Sequence, residues 1–217
     1  MRADAAMQVE IYVDLACPWS YMGKRHFEWA LAAFERADEV DVILRPYLAD
    51  PMHPTEAVTD ASVRVAASGG IDYRPDQVVP TDTLAAHRLI WLASEELGSK
   101  VARQVMDRVF LAYFTEGRDI SDVETLSDIG RRSGIDERRV RDLVGSQEGV
   151  AEVREELRQA REREITAVPT LVFGNGGVLV GAHDSVTYLD ALEELAADAD
   201  HHMKREDLRV SAERACA

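Results

Sequence analysis

Apolar and polar residues alternate through Val9-Glu10-Ile11-Tyr12-Val13-Asp14-Leu15, and this period of two predicts a strand over residues 8–14. The period then lengthens. Phe27, Ala30, Leu31 and Phe34 recur at helical spacing and predict a helix over residues 21–36. Val40 to Tyr47 reads as a second strand. Pro46 predicts that it ends there or runs along a sheet edge, because proline brings no N–H to a ladder. Residues 51–80 are rich in Pro, Thr, Ser and Gly and predict no long element, only a short helix near residues 60–67.

A helical block follows. Leu84, Ala85, Leu89, Leu92 and Ala93 predict a helix over 82–97 that stops at Gly98. Val101, Val105, Val109, Phe110 and Tyr113 predict another over 99–116 that stops at Gly117. Ser121-x-x-Glu124 has the form of a capping box before a short helix, and Asp136 caps a further helix running to about Val144. A charged helix over 148–163 buries Val150, Val153 and Leu157. The β period then returns. Thr170 to Phe173 and Val178 to Val180 flank Asn175-Gly176-Gly177, a hairpin signal. Ser185 starts a last helix with Tyr188, Leu189, Leu192 and Leu195, and residues 198–217 read as a loosely held polar tail.

The order β-α-β, helices, β-β-α describes an α/β domain over 8–50 and 165–199. A helical insertion over 51–164 splits it, and 200–217 form the tail. A chain of 217 residues, 46% hydrophobic and 30% charged, has the material for such a core. Its formal charge of −15 argues against nucleic acid and anionic membrane surfaces as partners. The polar start, Met1-Arg2-Ala3-Asp4, shows no signal-peptide h-region, and the expected location is cytoplasmic. The cysteines, Cys17 and Cys216, lie near opposite ends of the chain and form neither a disulfide framework nor, with scattered histidines, a metal site.

Candidate chemistry centres on Cys17-Pro18-Trp19-Ser20, between the first strand and the first helix. A helix N-terminus offers unpaired N–H groups and favours thiolate over thiol. Pro18 suits the first helical turn, where a missing N–H costs nothing. Trp19 either packs or presents an apolar surface beside the sulfur. Ser20 has no thiol to attack a mixed disulfide, but its hydroxyl can donate a hydrogen bond to a thiolate. No histidine sits between Cys17 and Ser20, so Cys17 is expected to be less acidic than the strongest thiol oxidants. An X–Pro bond tolerates cis geometry, and Val168-Pro169 before the third strand is expected to adopt it.

Taken with the element order, these residues resemble the DsbA-like branch of the thioredoxin fold. "DLACPWSYMGKR" is similar to the D-x-x-C-P-W-C-Y-x-G-K segment of FrnE-like proteins. "LRPYLADP", "TDTLAAHRLIWLA", "FLAYFTEGRDISD", "ITAVPTLVF" and "GAHD" resemble further FrnE segments, over roughly residues 8–197. Relatives of this branch include kappa-class glutathione transferases and 2-hydroxychromene-2-carboxylate isomerases. Ser20 departs from the FrnE pattern, which has a second cysteine there.

The resemblance implies thiol–disulfide exchange. Cys17 is then the nucleophile, Ser20 its hydrogen-bond donor, and the main chain at Val168 and Pro169 the platform for a bound peptide or small thiol. His183 and Asp184, where the last helix begins, either meet a ligand carboxylate or cap the helix. His87 and Arg88 read as a packed or solvated pair, His26, Trp29 and Trp91 as structural, and His201 and His202 as solvated. Cys216 is either an exposed free thiol or a resolving thiol that folds back. No tightly bound cofactor is expected beyond a low-molecular-weight thiol such as glutathione. The expected partners are protein or small-molecule thiols and disulfides; the sequence leaves the oligomeric state open, a homodimer included. Two other functions fit the same residues: a glutathione-dependent isomerase or transferase acting on an aromatic or polyketide-like molecule, and a redox-inactive peptide-binding module.

Overall fold

The computed structural model describes residues 7–48 and 70–215, with side chains as far as His202. The helix expected near residues 60–67, and Cys216, lie outside these residues. The chain runs β1 (Met7–Val13), α1 (Pro18–Ala33), β2 (Val40–Pro46), α2 (Leu84–Leu97), α3 (Ser99–Phe114), α4 (Val123–Arg132) and α5 (Glu137–Val144). It continues through α6 (Val150–Glu162), β3 (Thr170–Phe173), β4 (Val178–Val180) and α7 (Ser185–Ala215).

The sheet has the order β2-β1-β3-β4. β1 pairs with β2 in parallel, Met7 opposite Val40 and Val13 opposite Pro46. It pairs with β3 in antiparallel, and β3 with β4 likewise. Pro46 is therefore both the last residue of β2 and on an edge strand. β1 is buried along almost its whole length, because it lies inside the sheet and is covered on both faces. Glu10 is buried with it, and it is held by ion pairs to Arg45 of β2 and to Arg163 after α6.

Several boundaries differ from the sequence reading, each for a physical reason. α1 starts at Pro18 rather than Tyr21, because Cys17 takes the extended N-cap conformation and proline fits the first turn. It ends at Ala33, and Phe34, now the C-cap, stays buried. The cap of α4 is Asp122, not Ser121: the Asp122 carboxylate accepts from the Thr125 N–H, while the Ser121 hydroxyl turns back to Asp119. Asp136 caps α5 as its sequence position predicts. The polar tail expected after residue 197 is a continuation of α7, which runs to Ala215. No glycine or proline follows Gly181, so nothing in the chain stops the helix.

α1 and α7 pack against each other. Gly23 allows the close approach there: a Cβ at that position would lie 2.6 Å from Pro169 and 3.1 Å from the Tyr188 hydroxyl. The inserted helices are tied to α1 by an aromatic stack, in which Tyr21 lies 5.1 Å from Phe110 and 5.7 Å from Phe114 of α3. They are also tied by Lys24, whose fully buried ammonium donates to Asp107 at 2.5 Å and to the Arg103 carbonyl at 3.1 Å. No helix among the described residues is long and apolar enough to cross a membrane.

Candidate active site

The turn that carries Cys17 is built by Asp14. The Cys17 N–H donates to the Asp14 carbonyl at 3.1 Å, and the Ala16 N–H donates to the Asp14 carboxylate at 2.8 Å. This closes β1 directly into α1 and leaves Cys17 as the N-cap, its sulfur facing the start of the helix. Ser20, one turn on, is wholly buried. Its Oγ accepts from the Asp14 N–H at 3.3 Å. The Ser20 N–H and hydroxyl and the Trp19 N–H lie near enough to the Cys17 sulfur to favour its charged form.

The thiol donates to the Val168 carbonyl at a long 3.8 Å, and the Val168–Pro169 peptide bond is cis. The structure thus brings together Cys17, Ser20, Trp19 and Val168 from segments about 150 residues apart in sequence. Around the sulfur pack Tyr12, Ala160, Val168 and, in part, Trp19, Tyr47 and Ile165. Arg163 donates to the Tyr12 hydroxyl at 2.7 Å, which pins that wall.

Burial decides the electrostatics. Cys17 is 1% exposed, and desolvation pushes its thiol above the ordinary value, more than the Ser20 hydrogen bonds lower it. The negative charge of nearby Asp14 adds to the rise. Burial thus works against the thiolate that a helix N-terminus favours. Two tyrosines complete the surroundings: Tyr113, which the sequence places on a helix face, and Tyr73, which it does not single out. Tyr73 is pushed up to about 12 by burial, with Tyr113 and Cys17 adding to the rise. Tyr113 is raised by burial and by Asp14. Both rings meet Phe114 edge-on, at 5.5 and 4.9 Å. Tyr113 reads as core on a helix face, and Tyr73 falls in a stretch that predicts no long element, so neither stands out as a site residue. The signal that marks them is their convergence on Asp14 and Cys17, which exists only in the fold.

His183 and Asp184 serve the start of α7. The Asp184 carboxylate accepts from the Thr187 N–H at 2.8 Å, which is the capping role. The His183 N–H donates to the Tyr188 hydroxyl at 3.1 Å, and the His183 carbonyl lies 2.8 Å from Nδ1 of His26. These groups spend their hydrogen bonds on joining α7 to α1. Arg88 is a packed residue, donating to the carbonyls of Leu143, Ser146 and Glu148. Among the described residues no group of three potential metal ligands converges.

A family model of the DSBA-like thioredoxin domain matches residues 8–193. Among curated proteins, the uncharacterized protein YwbO of Bacillus subtilis (strain 168) is 24% identical over 200 residues, spanning 87% of this chain and 96% of YwbO. Among solved structures, the probable DsbA oxidoreductase SCO1869 of Streptomyces coelicolor has a TM-score of 0.76 and 29% identity, covering 88% of this chain and 90% of that one. The cytosolic disulfide reductase DsbM of Pseudomonas aeruginosa shares the fold, with a TM-score of 0.64 at 18% identity over 91% of this chain and 98% of that one.

Proposed function

The chain belongs to the DsbA-like thioredoxin family, and from that premise we propose that it exchanges disulfides by a monothiol mechanism centred on Cys17. The observation that carries this reading is the placement of the sulfur. It caps α1 beside the Ser20 hydroxyl and N–H and faces the Val168 carbonyl.

The Cys17 thiol releases its proton to solvent. The thiolate attacks one sulfur of a disulfide, forming a Cys17–S–S–R bond and expelling the other half as a thiolate, which takes up a proton. Ser20 holds the charged sulfur before attack by donating to it. It cannot expel the product, because an alcohol does not attack a disulfide at neutral pH. An external thiolate, glutathione or a similar small thiol, attacks the R sulfur, forms a new disulfide with it and returns Cys17 as thiolate. Each of the two steps breaks one S–S bond and makes one, so no other oxidant is consumed. A reducing compartment would supply the external thiol, which suits a cytoplasmic setting. The Val168 main chain would orient the partner by strand-like pairing.

The test is exchange between a fluorescent mixed-disulfide peptide and glutathione, with the Cys17→Ala and Ser20→Cys variants. Cys17→Ala should lose the catalysed rate. Ser20→Cys should shorten the life of the mixed disulfide by adding an internal attacking thiol. Full activity in Cys17→Ala would overturn the proposal.

A further inference from the structure

The two edges of the sheet are built differently. β2 carries Asp41 and Arg45, ends in Pro46 and is packed by α3 and α6. Charge, proline and a helical cover are the usual protections of an open edge. β4 has neither charge nor proline, and no described strand pairs with its outer side. Its Val178 and Val180 are 53% and 56% exposed. Residues 165–183 hold no Asp, Glu, Lys or Arg, the longest such run in the chain. Copies of a chain with a formal charge of −15 repel one another, and this run is where two of them can approach without bringing like charges together.

The main chain of β4 fixes how a partner strand would meet it. The Phe173 N–H donates to the Gly177 carbonyl at 2.8 Å, and the Gly181 N–H to the Pro169 carbonyl at 2.7 Å. Groups alternate in an antiparallel ladder, so residues 177, 179 and 181 turn theirs toward β3, and Val178 and Val180 turn theirs outward. The Val180 carbonyl is taken, because Nε2 of His183 donates to it at 3.1 Å. The N–H and carbonyl of Val178 therefore form the exchangeable pair at the centre of the open edge. The side chains add a face to this edge. Val178 lies opposite Val172, and Val180 opposite Thr170. Ile165 and Ala167 wall the same face, enclosing a groove of about 270 Å³.

We propose that two copies of this chain pair through β4, antiparallel and with Val178 opposite Val178 of the second copy. A two-fold axis at that residue makes the edge self-complementary. Each Val178 N–H meets the other's carbonyl, and the Val180 carbonyl held by His183 is not called upon. A register centred on residue 179 would need that carbonyl and is disfavoured. The axis stands perpendicular to the sheet, so both valine faces lie on the same side. Val172 and Val178 of each copy then form one apolar row across a continuous eight-stranded sheet. A three-residue strand is a small contact, which points to a dimer of micromolar rather than nanomolar affinity. The proposal stands apart from the chemistry at Cys17 and does not depend on it.

The test is sedimentation equilibrium of the full-length protein over a concentration series, at low and high salt. We expect a monomer–dimer equilibrium that tightens as salt rises, because salt screens the repulsion between two acidic copies. Val178→Pro removes only an outward N–H, a place where an edge strand tolerates proline. By symmetry it deletes two hydrogen bonds at once, so the dissociation constant should rise about tenfold or more. Val178→Lys, at an exposed position, sets two ammonium groups face to face, should act in the same direction, and serves if the proline variant does not fold. The register is read by a short bismaleimide in a Cys17→Ser/Cys216→Ser background. Val178→Cys should cross-link as a dimer and Val180→Cys should not, since in this register the two copies of residue 180 stand about 13 Å apart along the strands. A monomer at the highest soluble concentration, a dimer indifferent to both Val178 substitutions, weakening by salt, or cross-linking at 180 in preference to 178 would each overturn the proposal.

Discussion

Replacing Ser20 with alanine removes the hydroxyl that reaches the Cys17 sulfur while leaving the Ser20 and Trp19 N–H groups in place. A hydrogen bond to a charged group is worth about 1.5–3 kcal/mol, or roughly one to two pK units. The thiol, already raised by burial, should rise further, cutting the thiolate fraction at neutral pH by about 10- to 100-fold. Part of this is returned, because a more basic thiolate is a better nucleophile, with a Brønsted slope of about 0.4–0.5. The net loss is then about 4- to 15-fold, and the remaining N–H donors favour the lower end.

The assay is alkylation of Cys17 by iodoacetamide between neutral and alkaline pH, followed by mass spectrometry of the Cys17 peptide. In the wild type the rate should keep climbing past the ordinary thiol value. In Ser20→Ala the whole profile should move to higher pH. The substitution also removes the hydroxyl that accepts from the Asp14 N–H, so stability is measured in parallel. Labelling through unfolding would make the variant faster, the opposite sign. Superimposable profiles, or a faster variant with unchanged stability, would refute the role given to Ser20.

Three further outcomes follow from the packing. Gly23→Ala places a methyl 2.6 Å from Pro169; thermal melts should show a loss of about 1–3 kcal/mol, with slower exchange as the Val168–Pro169 segment is pushed off α1. Asp107→Ala takes the short-range partner from fully buried Lys24, and because Glu28 remains at 3.3 Å urea unfolding should register the lower part of the roughly 3–5 kcal/mol typical of broken buried pairs. His87 is pushed down to about 3 by burial, so below an unfolded-state value near 6.5 the unfolded chain binds a proton that the folded chain does not. Stability should then fall with pH from there toward 3, by up to about 1.4 kcal/mol per pH unit, and a His87→Gln variant should show a shallower decline; equal slopes would contradict a neutral buried imidazole.

The strands and helices were legible because their signals are local. Alternation marked β1, Gly98 stopped α2, Asp136 capped α5, and Asn175-Gly176-Gly177 joined β3 to β4. Cys17 was legible for the same reason, standing at a strand-to-helix turn. What the sequence hid depends on partners far along the chain. Glu10 reads as the polar member of an alternating strand, yet it is buried, because Arg45 and Arg163 reach it from 35 and 153 residues away. Lys24 reads as a surface lysine of α1 and is enclosed by α3 through Asp107. Helix position at Cys17 favours a thiolate, while desolvation among Tyr12, Val168 and Ala160 pushes the thiol up. Those three residues come from β1, the segment before β3, and α6, and only folding assembles them.

The most direct measurement is intact mass with non-reducing peptide mapping after exposure of the purified protein to oxidised glutathione. The account predicts one glutathione adduct, on Cys17, removed by excess thiol and absent from Cys17→Ala. An unmodified Cys17, or a Cys17–Cys216 disulfide in place of the adduct, would contradict a monothiol exchange centre.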